Sequence, residues 1–538
     1  MMYRNITLIK KFFLVSLTFS IGFLICFIHQ KFFYTNYIHG DAAVMKTLAR
    51  AIIDSHSLLP KDFYYGNQII FLRSSTFIAL AMMLGFNGFN AFVVGSCLSA
   101  GLWFSLVYYS LKKVLKLKAT SLACVLSVFI PFGYNDNDFM LGQQSHLAIA
   151  SLTLICTIFT YLYIKGCRNI DLLVVFFTCL LITSESPIRG AMISFPILTS
   201  TLLIYKNKES FKIVVCSLFS LLCGAIVNHF LLKHTGRLQV DLSESMKILS
   251  LDSDISNIIN ISLSLIKTST SVNLYSGLPV VSIAFVFYSF IILAIVLSCI
   301  FFARSLKELY ALSLSLQKFS ISTLSECDFK IFISSAAALA LIVNIVATAF
   351  FNPDSPRHII PAVAIFEVAF TLTALNVLGK LTLRKKTLPE ILLVMFYLCN
   401  SFWVAFSLNT NLVYPNITFL PKNKFIITPV ESAIRDTGIV NLYGTNFWRI
   451  MPLGLLSNDI ITGEISPSGN KFFARHWLSR KSAFCQKKDV LYVLFNDSQD
   501  DRKLEGQLSK RGGILLYEGP SMKIYKSQPV WETETNCK

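Results

Sequence analysis

Charge is what this sequence has least of. Only 14% of its 538 residues are Asp, Glu, Lys or Arg, with 30 acidic side chains against 48 basic ones, while 54% are hydrophobic and the mean hydropathy is +0.60. An ordinary soluble chain carries roughly 25% charged residues, so a soluble globular protein is excluded. No C-x-x-C pair occurs among the 13 cysteines. That removes support for a thiolate metal site and leaves buried thiols as the plain reading. No glycine-rich loop opens a helix, so a soluble nucleotide-linked donor has no phosphate cradle. No small-x-small cleavage site follows the first apolar run, although Lys10 and Lys11 precede it, and Ile25 before Cys26 does not suit a lipoprotein signal. An uncleaved anchor with its N-terminus in the cytoplasm is expected. No internal repeat of the transporter kind stands out.

What is present is a succession of apolar runs long enough to span a bilayer. The net charge of +18 does not point to nucleic acid, because most Lys and Arg lie between those runs, where positive-inside anchoring places them. KKVLKLK (112–118), KNKESFK (206–212) and KLTLRKK (380–386) are expected in the cytoplasm, and YNDNDFMLGQQSH (134–146), with two Asp and no Lys or Arg, outside. If 67–86 and 89–111 both crossed, KKVLKLK would lie outside. The segment 67–86 carries Asn67, Gln68, Arg73, Ser74, Ser75 and Thr76, and is expected to lie in the outer interface instead. Residues 34–88 then form one long outer loop with two surface helices. About eleven spans remain: 12–33, 89–111, 119–134, 146–164, 171–186, 190–205, 211–231, 278–302, 331–351, 359–379 and 388–408. A second outer loop, 232–277, contains the amphipathic stretch SDISNIINISLSLIK.

From residue 409 the texture changes. Pro415, Pro421, Pro429, Pro452 and Pro467 appear, and VLYVLF (490–495) and GILLYEG (513–519) read as strands. The expected fold is an all-α polytopic membrane domain over 1–408 with a small soluble α/β domain over 409–538 on the outer face. Cys485 and Cys537 are the cysteines of that domain. In an oxidising compartment they are expected to pair, closing a loop of about 50 residues worth roughly 3–5 kcal/mol.

Candidate chemistry lies in the outer loops. Asp41 heads a stretch in which Val44, Met45, Leu48, Ala49 and Ile52 share one helical face, so an amphipathic helix at the membrane surface is expected there. Asp41 reads either as its N-cap or as a base held at the interface. Asp136 and Asp138 form a D-x-D that can hold a divalent cation or do acid/base work, and equally can be solvated or cap a helix. His146 opens a helix, where a structural hydrogen bond is the ordinary role. Glu185 and Arg189 in TSESPIRG (183–190) are spaced to pair. Arg357 and His358 in FNPDSPRHIIP (351–361) lie at the outer interface, where arginine offers phosphate a planar fork of donors or simply snorkels. Tyr64 and Tyr65 add polar aromatic groups to the first loop.

On these residues the chain resembles the C-type glycosyltransferase superfamily of polytopic membrane enzymes. GDAAVMKTLARAI is similar to the family's opening, where an acidic residue precedes a Leu-Ala-containing helix, and FFNPDSPRHIIPAV to its late outer loop. The stretches NLYGTNFWRIMPLGLLSNDIITGEISP and RHWLS resemble the outer domain of bacterial members. The chain departs from the pattern in having Ala42 and Ala43 where many relatives carry a second acid, and YYGNQI (64–69) where a Pro-Pro pair is common. The resemblance implies transfer of a hexose such as glucose from a polyprenyl-phosphate carrier to an envelope glycan such as O-antigen. It places this on the periplasmic face of a bacterial inner membrane. Asp41 would be the general base, with Asp136 and Asp138 the other acids. Arg357, Arg189 and His358 would hold the donor phosphate, and Glu185, Tyr64, Tyr65 and His146 would contact substrate. No soluble nucleotide sugar is required; no cofactor is implied with certainty, and a divalent cation could join. The competing readings are a transporter, a flippase or an O-antigen polymerase. The first two call for charges or helix breaks at span midpoints, and the last usually lacks a separate C-terminal domain.

Overall fold

The structure is a computed structural model that describes residues 2–34, 38, 40–66, 68–115, 117–130, 138–205, 207–235, 255–262, 307, 326–351, 356–381, 388–409, 424–469 and 471–531. Its first helix, α1 (Met2–Ile28), runs on into a π-turn at His29–Phe33. The segment between α1 and the next membrane helix carries α2 (Gly40–Ser55) and α3 (Ser75–Met83). Then follow α4 (Gly88–Lys112), α5 (Lys118–Phe129), α6 (Leu147–Gly166), α7 (Asn169–Glu185), α8 (Pro187–Tyr205), α9 (Lys208–Thr235), α10 (Glu326–Phe351), α11 (Ile360–Leu381) and α12 (Leu388–Asn409).

Among the described residues seven helices are long and apolar enough to cross a bilayer, which makes this a multi-pass membrane protein. Ten of the eleven expected spans coincide with helices, and 278–302 lies outside the described residues. The count of eleven is nonetheless not reproduced. α5 has 12 residues and would reach only about 18 Å at 1.5 Å per residue, against a hydrocarbon core of about 30 Å. Lipid offers no hydrophobic drive between helices, so close packing needs small residues at the contact. α1 and α4 show this. A Cβ on Gly22 would stand 2.5 Å from the Phe104 Cβ, one on Gly101 would stand 2.9 Å from the Phe19 carbonyl, and the Thr18 and Ser105 hydroxyls share a 3.2 Å hydrogen bond.

The helix inside 67–86 has nine residues, about 14 Å, too short to cross, in keeping with the charge reading. α2 corrects the expectation more sharply. It is not half-exposed at a membrane surface, because Ala42 through Ala49, Ala51 and Ile52 are all buried. It lies between the membrane helices and the C-terminal domain, and the amphipathic pattern reflected two protein partners rather than one protein and one lipid face.

Lys46, on the face read as polar, is 1% exposed. Its ammonium donates to the carbonyls of Gly454, Ser457 and Asn458 at 2.8, 2.6 and 3.2 Å, so all three donors find acceptors in the C-terminal domain. Burial, with Arg50 adding to it, lowers its pKa to about 7. A lysine that holds its proton less tightly when folded opposes folding below that pH, and ceases to oppose it as pH climbs toward the unfolded value near 10.5. The C-terminal domain of the wild type should therefore melt at a higher temperature at pH 8.5 than at pH 6.5. Lys46→Met strands the buried carbonyl of Gly454, at about 1–3 kcal/mol for such a group, and should melt lower with no pH slope between those points. Differential scanning fluorimetry checks both, and a slope retained in Lys46→Met would assign it elsewhere.

The C-terminal domain holds a six-stranded sheet in the order β4-β3-β2-β6-β8-β7, comprising β2 (Asn441–Gly444), β3 (Ile461–Ser468), β4 (Lys471–Ala474), β6 (Val490–Phe495), β7 (Ile514–Glu518) and β8 (Met522–Ser527). β2 runs parallel to β3 and β6, and the other pairs are antiparallel. VLYVLF is β6 residue for residue and is buried throughout, as an unbroken apolar run in a central strand should be. A separate two-stranded ribbon pairs β1 (Phe63–Tyr64) with β5 (Ser479–Arg480), so the segment that carries α2 and α3 is hydrogen-bonded to this domain. Arg480 fastens the same joint through Asp54 at 2.7 Å and Asp62 at 2.6 Å. Cys485 is disulfide-bonded. Cys537, its expected partner, lies outside the described residues, as do 410–423 beyond the expected boundary at 408/409.

Candidate active site

Three membrane helices begin at one place. His146 stands immediately before α6, Arg189 lies in the first turn of α8, and Arg357 and His358 lie in a 3₁₀ turn (Pro356–Ile359) leading into α11. Helix starts expose unpaired N–H groups and the positive end of the helix dipole, which favours anions. Proline sets two of these starts, at Pro187 and Pro356, where its fixed φ suits the first turn and its missing N–H costs nothing. The side chains around them line a cleft of about 220 Å³ between the membrane helices and the C-terminal domain.

Its inner wall is basic. Arg73, Arg189, Arg357, His146 and His358 all line it, with Asp41 among them. Arg357 Nη1 lies 3.4 Å from Asp41 Oδ2. Arg189 Nη2 lies 3.1 Å from His358 Nδ1. A guanidinium only donates, so His358 must accept through Nδ1 and carry any proton of its neutral form on Nε2. Burial first, and then the charges of Arg189, His358, Arg73 and Arg357, hold His146 far below the usual histidine range, so it is neutral at physiological pH. Arg73 is pulled below its ordinary value by burial and by Arg357, while Glu185 and Asp41 work the other way.

Three buried nitrogens on this wall have no hydrogen-bond partner among the described residues: Arg73 Nε, Arg189 Nη1 and His146 Nδ1. A buried polar group left unpaired costs about 1–3 kcal/mol, so three in one cleft mark a place where something else pairs with them. Asp41 faces Arg357, and the charge of Glu185 reaches both Arg73 and Arg189, but no carboxylate forms an ion pair with Arg189 among the described residues. The inner wall thus carries a surplus of positive charge and of donors, which is what a phosphate supplies acceptors for.

The outer wall comes from the C-terminal domain: Phe447, Trp448, Arg475, Trp477 and Leu478. Arg475 is held by both oxygens of Glu464, at 2.7 and 2.8 Å.

The expected site residues distribute as follows. Asp41, Arg189, Arg357, His146 and His358 meet in the cleft. Asp41 is the second residue of α2 rather than its cap, so its carboxylate is turned to Arg357. Glu185 stands behind the wall and does not bind Arg189 as its spacing suggested. Its Oε1 accepts the backbone N–H of Phe71 and Leu72 at 3.0 and 2.9 Å, which sets the chain just before Arg73. Asp138 is buried and accepts from Gln143 Nε2 at 2.9 Å, so it orients a glutamine that lines the cleft rather than lining it itself. Asp136 lies outside the described residues. Tyr64 stacks on His476 at 4.4 Å, and Tyr65 is buried against Phe63, both away from the cleft. Sequence reading missed Arg73, Gln68, Gln143, Arg475, Trp448 and Trp477. Arg73 carried a signal, since an arginine inside an apolar run needs a reason. Among the described residues no group of three His, Cys, Asp or Glu is placed to hold a metal.

No family model matches the sequence, and no curated protein matches it. Solved structures do match. One is ArnT from Cupriavidus metallidurans bound to undecaprenyl phosphate, 10% identical, with a TM-score of 0.55 over 95% of this chain and 97% of that one. The same protein in the apo state matches at 9% identity and a TM-score of 0.52, over 96% and 98%. At such identity what is shared is the fold, and along nearly its whole length this chain folds as that protein does.

Proposed function

We propose that this protein is a membrane glycosyltransferase that moves a hexose from a polyprenyl-phosphate carrier to an envelope glycan such as O-antigen. The reading puts the cleft and the C-terminal domain on the periplasmic side of a bacterial inner membrane. One observation carries it: three buried, unpartnered nitrogens from Arg73, Arg189 and His146 converge within a cleft that also holds the carboxylate of Asp41. Support also comes from the fold shared with a protein whose structure holds undecaprenyl phosphate.

The lipid phosphate would sit against Arg189 and Arg73, with Arg357 swinging part of its fork from Asp41 to a phosphate oxygen. An acceptor hydroxyl attacks the anomeric carbon of the donor sugar. The bond from that carbon to the phosphate oxygen breaks, and its electron pair stays on the phosphate, where the arginines stabilise it. The hydroxyl proton passes to Asp41. His358 orients Arg189, and Asp138 orients Gln143. Glu185 fixes the loop that delivers Arg73. Cells lacking the gene should show envelope glycans lighter by one hexose per modified unit by mass spectrometry. Unchanged glycans, with the protein shown to be expressed in the parent, would end this reading.

A further inference from the structure

Resting on that reading, we infer that Asn228, inside the apolar helix α9, is a positioning residue of the phosphate-binding wall. It fixes the end of α7 and, through Glu185, the bend that delivers Arg73. The two helices lie side by side and parallel. Ser220 Oγ donates to the Phe176 carbonyl at 2.6 Å, and Asn228 Nδ2 donates to the Ser184 carbonyl at 2.8 Å, both across the same separation of 44 residues. Gly224 stands midway on the same face of α9, since positions four apart are neighbours on a helix. A Cβ there would lie 2.6 Å from the Thr183 Cβ and 3.0 Å from the Leu180 carbonyl. Small residues let membrane helices approach this closely, and polar ones then bond across the contact. On its other side Thr183 meets α8, where a Cβ on Gly190 would collide with its hydroxyl. The last turn of α7 is thus gripped by both neighbouring helices.

Asn228 differs from Ser220 in what it holds. The final carbonyls of a helix have no partner within it. Asn228 supplies one for Ser184 and also reaches the Glu185 carbonyl at 3.2 Å. That same carbonyl accepts the Ile69 N–H at 3.3 Å, while Glu185 Oε1 accepts those of Phe71 and Leu72. Three of the four N–H groups at 69–72 therefore end on Glu185, and Arg73 follows at once. Glu185 is fully buried, so its place is set by what packs around it. Asn228 does not line the cleft. It acts at one remove, on the residue that holds the bend. A donor phosphate gains from a guanidinium only if that group is already in place, and small displacements behind a site are felt in it.

The test compares the full-length protein in nanodiscs as wild type, Asn228→Ala and Ser220→Ala, the last removing a bond between the same two helices but far from Glu185. Hydrogen–deuterium exchange over 69–73 reads the bend directly, and undecaprenyl phosphate affinity reads the consequence. Asn228→Ala should speed exchange of the Ile69, Phe71 and Leu72 amides and weaken undecaprenyl phosphate binding, each about fivefold or more, as the loss of one or two hydrogen bonds allows. Ser220→Ala should lower the melting temperature comparably and leave both readouts at wild-type values. Asn228→Ser keeps a hydroxyl donor and should fall between wild type and Asn228→Ala, and it takes that variant's place in the comparison should Asn228→Ala not fold. Unchanged exchange at 69–72 on losing the amide, or the same change in Ser220→Ala, would overturn the positioning role. Faster exchange with undiminished undecaprenyl phosphate affinity would cut the link from Asn228 to the phosphate wall. If the wild type does not bind undecaprenyl phosphate, the donor reading itself fails, and the exchange data still decide whether Asn228 holds the bend.

Discussion

Asp41→Asn should insert and fold as the wild type does, and transfer sugar about a hundredfold more slowly or worse. The substitution is nearly isosteric, and Asp41 is the second residue of α2 rather than its cap, so the helix start keeps whatever holds it. What it removes from the resting protein is an ion pair of 3.4 Å to Arg357, whose side chain is 38% exposed. Partly exposed pairs of this kind contribute about 0–1 kcal/mol, so the melting temperature should move little. What it removes from the reaction is the proton acceptor. An amide cannot take the proton of the attacking hydroxyl, and general-base contributions are typically about 10²–10⁴-fold. The two losses differ in their donor-side signature. Freed from its carboxylate, Arg357 should bind phosphate at least as well as before, so undecaprenyl phosphate affinity should hold or rise while glycan modification collapses. Normal modification by Asp41→Asn would remove this carboxylate from the chemistry. Loss of both binding and activity would make it a structural strut.

The fold was largely legible because its signals are of the strong kind: long apolar runs, basic clusters between them, and one compositional break near 409. The charge conflict at 112–118 was enough to read 67–86 as a segment that does not span, and α3 with its nine residues is too short to cross. α2 was misread for a physical reason. A helix packed on one side by membrane helices and on the other by a polar domain has the same periodicity as one floating on lipid, and only the partners tell them apart. Lys46 shows the limit, since its three carbonyl acceptors come from residues more than 400 positions away.

The site was half legible. Arg189, Arg357 and His358 could be found because each sits at a proline-marked helix start, a local signal. Arg73, Arg475 and Trp448 come to the same cleft from the bend before a short helix and from the C-terminal domain, and no spacing in the sequence encodes that meeting. Carboxylates misled in the other direction. Glu185 and Asp138 looked like chemistry, and each has an oxygen that fixes neighbours, one through two backbone N–H groups and the other through Gln143. A buried acid is more often a fastener than a reagent, and it takes the coordinates to show which groups it fastens.

Arg357→Lys separates recognition from anchoring at the other end of the same ion pair. Lysine keeps the charge, reaches the interface as well as arginine does, and snorkels equally well, so a purely anchoring Arg357 would lose nothing. It does not keep the fork. Arg357 can hold Asp41 with one edge of its guanidinium while offering another N–H to a phosphate oxygen, and an ammonium on a flexible stem cannot hold both in fixed geometry. The loss should amount to about one charge-assisted hydrogen bond, roughly 1.5–3 kcal/mol, which corresponds to about 10–150-fold in transfer rate. Expression and melting temperature should stay close to wild type, because this side chain is partly exposed and its pair with Asp41 survives as a simple attraction. The deficit should appear in kcat more than in undecaprenyl phosphate affinity. The fork matters most once the breaking bond has put extra charge on the phosphate oxygen, and interactions that strengthen only then act on the rate. Wild-type kcat in the Arg357→Lys enzyme would leave Arg357 as an anchor and shift the phosphate to Arg189 and Arg73, the two cations whose buried donors stand unmet in the resting cleft.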